Sequence, residues 1–166
     1  MHTGYILDTN VLSQSSKRER DEIVCAWMAT VRNASIPMGA LIEFAQGIAM
    51  ARSRNPIRAA ELQDWLDGLL ATDITLVQTN KDIALLYGEM RVCGPLKHLW
   101  QSNPSMAVPR GGNDMYIAAA AIITERYVAT LDVADFLSIH EHFPLPGLYN
   151  PREDKWHVSP GKPKAA

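Results

Sequence analysis

The feature that most constrains this chain is an alternation of short apolar runs with helical stretches. It begins in "GYILDTNVLSQ", where Tyr5-Ile6-Leu7 stops abruptly at Asp8-Thr9-Asn10. A short apolar run bounded by polar residues reads as a buried strand, and the acidic residue that ends it lies at the strand's C-terminal edge. "NASIPMGA", "ITLVQT" and "YVATL" repeat the strand signal, with Pro37 fitting a sheet edge or a strand end. Between them the spacing predicts helices over Asp21 to Arg32, from Ala40 through "ALIEFAQGIAMAR", over Ala59 to Ala71 behind Pro56, after the cap Asn80, and in "DMYIAAAAIITE" from Asp114. "DVADFLSI" reads as the turn that follows the fourth strand. Strands alternating with helices predict an α/β fold, a mainly parallel central sheet flanked by helices on both faces.

At 166 residues the chain suits one domain with a substantial core. We place that domain at 1–150 and read 151–166, rich in proline and charge, as a flexible tail. Gly94 to Asn113, "GPLKHLWQSNPSMAVPRGGN", shows no steady period and reads as a long loop. With 47% hydrophobic and 20% charged residues the composition excludes the disordered class. No apolar stretch approaches the roughly 20 residues of a membrane span, so no membrane partner is expected. Cys25 and Cys93 lie far apart, which excludes a disulfide framework and a thiolate zinc site. The first residues carry neither the basic segment nor the apolar core of a secretory signal, and a cytoplasmic location is expected.

A formal net charge of -2 gives no whole-molecule attraction to nucleic acid. A nucleic-acid substrate would need local basic groups or a bound cation. Lys17 to Arg20, Arg52 to Arg58 and Arg110 offer such groups, although mixed charge runs are ordinarily solvated helix faces.

The acidic residues are more informative. Asp8 ends the first strand, and Asp132 and Asp135 follow the fourth; in a parallel α/β sheet such positions share one edge. Asp114 opens the helix that leads into the fourth strand, and such a helix begins at that same edge. Glu43, early in the helix after the second strand, can reach the same rim. Clustered carboxylates cannot all ionise without a counter-charge, and a divalent cation supplies one. Oxygen ligands without paired cysteine or histidine favour Mg2+ or Mn2+ over zinc, and point to metal-assisted hydrolysis of a phosphate ester. Each acid alone has a plainer reading: Asp8, or Thr9 beside it, as the cap of the helix that Val11 and Leu12 begin, Asp114 as an N-cap, Glu43 as a solvated helix residue, Asp132 and Asp135 as turn formers. Their coincidence at one edge is what the plainer readings leave unexplained. His140 and His142 read as surface residues outside the site.

"YILDTNVLS", "MGALIEFAQGI", "NDMYIAAAAI" and "YVATLDVADF" resemble, in order, the signature segments of the PIN-domain family, particularly the ribonuclease toxins of the VapC and FitB type in toxin-antitoxin systems. The resemblance implies a PIN-like fold, an endoribonuclease dependent on Mg2+ or Mn2+, an RNA substrate, a cognate antitoxin and a homodimer. It makes Asp8, Glu43 and Asp114 the first three acidic positions. The pattern T-x-N-x-x-D-F falls on Thr130, Asp132, Asp135 and Phe136, which makes Asp135 the fourth acid. Asp132 stands where the family usually has Asn and adds a further oxygen ligand. Asn10 and Thr130 match polar positions that orient metal or water. Asp8, Asp114 and Asp135 would hold the cation, with Glu43 binding a second cation or orienting the attacking water.

The 94–113 segment is longer than the usual link into the third signature. We assign Trp100 and Arg110 there to substrate binding, through base stacking and phosphate contact; the opposing reading tucks Trp100 against the core. Trp65, Leu66, Leu69 and Leu70 are either dimer surface or ordinary core. Two other functions stay in view. A phosphatase resembling the haloacid dehalogenases would need a second Asp where this chain has Asn10. A non-catalytic PIN-like binding module would be marked by lost acidic positions, and all four are present.

Overall fold

The computed structural model describes residues 4–101 and 112–161. Its strands are β1 (Tyr5–Leu7), β2 (Ala34–Pro37), β3 (Thr75–Val77), β4 (Tyr127–Ala129), β5 (Leu148–Asn150) and β6 (Lys155–Val158). They form one sheet in the order β3-β2-β1-β4-β5-β6, parallel from β3 to β5 and antiparallel between β5 and β6. The helices are α1 (Thr9–Leu12), α2 (Glu22–Thr30), α3 (Met38–Arg54), α4 (Pro56–Leu70), α5 (Lys81–Val92), α6 (Asn113–Ile123) and α7 (Val133–His140), with 3-10 turns at Ser13–Ser16 and Gly94–Leu99.

Period-two alternation divides the core. Ile6 and Val128 face one side of the sheet, where α5, α6 and α7 add Ile83, Met90, Met115, Ile117, Phe136 and Ile139. Leu7 and Ala129 face the other, against Leu12, Phe44, Ile48 and Leu66 from α1, α3 and α4. The alanine run Ala118–Ala121 is wholly buried, and its small side chains let α6 lie close to the sheet. Side-chain caps fix where several helices start: Asp21 accepts from the Ile23 and Val24 N–H groups, Asn55 from that of Arg58, and Asn80 from that of Ile83. Pro37 ends β2 inside the sheet, so the strand-end reading is the right one.

Three expectations are corrected. The stretch read as a tail contributes β6, because Trp156 packs with Tyr5, Tyr127 and Tyr149, and Arg152 in the preceding turn pairs with Asp21 at 2.5 Å. "DVADFLSI" is a helix, α7, which buries Phe136 and Ile139. The first third of the expected loop is a 3-10 turn that buries Leu96 and Leu99. Residues 102–111, including Arg110, lie outside the described residues.

Candidate active site

Asp8 follows β1 directly, and its N–H bonds to the Ala129 carbonyl at 3.0 Å, extending the β1–β4 ladder by one step. The same residue caps α1: its carbonyl accepts from Val11 and Leu12, and Oδ1 accepts from the Thr9 N–H at 2.6 Å. Thr130, wholly buried at the end of β4, donates its hydroxyl to Asp8 Oδ2 at 2.7 Å. Thr130 Oγ1 in turn accepts from Asn10 Nδ2 at 3.2 Å and from the Asp132 N–H at 3.0 Å. Asn10 Oδ1 accepts from the Leu131 N–H at 3.0 Å. Asn10 and Thr130 therefore tie the ends of β1 and β4 together around Asp8.

Asp8 is only 3% exposed. Burial pushes its carboxyl up to about 7, with Glu43 and Asp132 adding to the rise while the Thr130 hydroxyl and the Thr9 N–H oppose it. Asp114, in the first turn of α6, is pushed up to about 8 by burial and then by the charges of Asp8, Glu43, Asp135 and Asp132. The five carboxylates assigned from sequence thus share one electrostatic neighbourhood at the C-terminal edge of the sheet. Asp132 contributes, as the smallest cause in each case, to the rise at both Asp8 and Asp114.

The donor set is all oxygen, which suits a hard divalent ion. Among the described residues, no group of three or more Asp, Glu, His or Cys side chains is placed so that it could hold a metal ion as it stands. The arrangement is an open acidic rim around a buried Asp8.

Trp100 is half-buried against the α5–α6 core; the Arg91 guanidinium lies 4.4 Å from its ring centroid, and its Nε1 is buried with no hydrogen-bond partner among the described residues. One face of the ring is thus occupied. The basic runs are engaged in part: Arg18 and Arg58 pair with Glu61 at 3.3 and 2.9 Å, and Arg20 with Glu22 at 2.9 Å. His140, the last residue of α7, accepts at Nδ1 from the Leu145 N–H. Sequence reasoning missed Asn113, whose Nδ2 donates to Glu43 Oε1 at 3.0 Å, and the buried Gln14, which bonds the Asn10 carbonyl. Only the position of Asn113 next to Asp114 hinted at the first.

No protein-family model and no curated protein matches the sequence. Solved structures do resemble the fold. FitAcB from Neisseria gonorrhoeae aligns with a TM-score of 0.62 at 24% identity, over 89% of this chain and 97% of that one. DNA-bound VapBC from Salmonella typhimurium gives a TM-score of 0.60 at 19% identity, over 90% and 98%. VapBC-5 from Mycobacterium tuberculosis, a member of the VapBC family of toxin-antitoxin systems, gives 0.55 at 22% identity, over 89% and 98%. With its mostly parallel sheet and its helices on both faces, the chain has the PIN-like α/β fold.

Proposed function

We propose that this chain is a metal-dependent endoribonuclease and the toxin of a type II toxin-antitoxin system. The observation that carries the reading is the convergence of Asp8, Glu43, Asp114, Asp132 and Asp135 on one sheet edge, where burial and mutual repulsion hold Asp8 and Asp114 well above the usual carboxylate range. Asp8, Asp114 and Asp135 would hold Mg2+ or Mn2+, with Asp132 as an additional oxygen donor. A bound cation of this kind activates water and stabilises the leaving oxygen in phosphodiester cleavage. The chain's own groups do the rest. Thr130 and Thr9 fix the two Asp8 oxygens, Asn10 locks Thr130, and Glu43 would orient water or bind a second cation. RNA phosphates would be met by Arg and Lys side chains.

The antitoxin partner is inferred from the solved complexes named above, one of them bound to DNA. A homodimer is part of the same reading, but α4 supports it less than its sequence suggests. Leu66 is buried in the core and Trp65 packs on Phe44, so of its four apolar candidates only Leu70 is exposed, at 36%. Among the described residues no helix is long and apolar enough to cross a membrane.

The test is RNA cleavage by purified protein with Mn2+, with chelator and with Asp114→Asn. Cleavage that needs the metal and falls by orders of magnitude in the variant supports the reading. Cleavage that ignores both would refute it. Metal-dependent release of phosphate from small phosphate esters, with RNA left intact, would favour the phosphatase instead.

A further inference from the structure

The N-terminal ends of α3 and α6 meet on the rim where Glu43 and Asp114 stand. Their approach depends on Gly39, since a Cβ there would come within 2.9 Å of Tyr116 Cδ1. At this junction α6 has no side-chain cap: the residue before it, Gly112, has a positive φ of 70° and offers none. Asn is the residue type that caps α4 and α5 in this chain, and Asn113 stands at the first position of α6. Yet its amide serves a different element. Nδ2 donates across the junction to Glu43 Oε1 at 3.0 Å.

We infer that Asn113 is a positioning residue for Glu43, a role that rests on reading the site as a metal-dependent nuclease. An amide suits the task because it holds one carboxylate oxygen, and so the plane of the group, without changing the charge of the rim. A basic residue here would neutralise Glu43 in an ion pair, and an acidic one would repel it. Asn113 also adjoins Asp114, so one peptide unit at the start of α6 sets both the third acid and the group that holds the second. Donors that support ligating carboxylates typically contribute about 10–100-fold to metal affinity or activity.

The experiment uses the full chain and four proteins: wild type, Asn113→Leu, Glu43→Gln and the double variant. Mn2+ affinity is read from the paramagnetic resonance signal of the free ion, cleavage as kcat and KM on RNA, and folding by thermal melting. Asn113→Leu nearly preserves shape but has no donor. It is expected to weaken Mn2+ binding and lower kcat by about tenfold each with KM for RNA unchanged, and to add nothing in the Glu43→Gln background. Wild-type Mn2+ affinity and kcat in folded Asn113→Leu overturn the inference. So does a tenfold loss that persists when Glu43 is already Gln, because Asn113 would then act through something else. Should Asn113→Leu fail to fold, Asn113→Ala carries the same comparison. Wild-type protein that neither binds Mn2+ nor cleaves RNA refutes the nuclease reading itself, an outcome distinct from a working wild type matched by its Asn113 variant.

Discussion

Replacing Asp8 with Asn is expected to abolish cleavage and, at alkaline pH without metal, to stabilise the protein. Asp8 is 3% exposed and its carboxyl is pushed up to about 7, chiefly by burial. An unfolded Asp titrates near 3.9, so the folded state binds the proton more tightly and stability falls as pH rises from about 4 through about 7. A shift of about 3 units at about 1.4 kcal/mol each sets an upper bound of about 4 kcal/mol at about pH 8. Asn removes that penalty but keeps only one acceptor oxygen, whereas Asp8 accepts from both Thr130 and Thr9. The lost hydrogen bond costs about 1–3 kcal/mol, leaving a net gain of about 1–3 kcal/mol at about pH 8. At about 2–4 °C per kcal/mol for a chain of this size, the melting temperature should rise by about 2–12 °C. Near pH 5 the charge penalty shrinks to about 1.5 kcal/mol, and the gain should vanish or reverse.

The assay is a pair of thermal melts of chelated wild type and Asp8→Asn at about pH 5 and pH 8, beside Mn2+-dependent RNA cleavage. A variant no more stable than wild type at the higher pH would refute the electrostatic argument. The same refutation follows if its advantage is equal at both pH values. Retained cleavage would remove Asp8 from the metal site.

Three further outcomes follow from the same physics. Because Asp8 and Asp114 are pushed up to about 7 and about 8, protons compete with the cation, and Mn2+ should raise the wild-type melting temperature more at about pH 8 than at about pH 5; an equal shift would argue that these carboxylates are not ligands. Trp100→Ala should lower stability by about 2 kcal/mol, measured by denaturant unfolding, with RNA cleavage sites unchanged, because one ring face is already covered by Arg91 and Nε1 is buried. A changed cleavage pattern without a stability loss would restore its assignment to base stacking. Light scattering at micromolar concentration should give twice the chain mass, and a monomer would remove self-association from the proposal.

The acidic rim was legible in the sequence because topology does most of the placing. Once β1 and β4 are parallel neighbours, Asp8 and Thr130 must end side by side, and a helix feeding β4 must start near them, which fixes Asp114. What stayed hidden depends on contacts between distant parts of the chain. Tyr149 and Trp156 lie in a proline-rich stretch with no clear period, and they become strand residues because Tyr5, Trp27 and Tyr127 offer rings to pack on. The eight residues of α7 give too short a period to separate from a turn, although Phe136 and Ile139 anchor it. Asn113 illustrates a second kind of blindness: an Asn at a helix start signals a cap, and nothing local shows that its partner is a glutamate 70 positions away.

The geometry also explains how one domain can tolerate so many carboxylates on one rim. The most deeply buried of these carboxylates, Asp8, is enclosed by neutral donors, and the hydroxyl among them is itself held: Thr130 by Asn10 and the Asp132 N–H, with Asn10 held in turn by the Leu131 N–H and Gln14. Glu43 and Asp135 are half-buried and Asp132 is exposed, where water lowers the cost of their repulsion, while Asp114 answers its burial by the rise of its carboxyl to about 8. A rim built this way is rigid at its centre and open at its margin. It can stay folded with Asp8 protonated, and a cation entering from the open side would replace that proton without requiring the two strand ends to move.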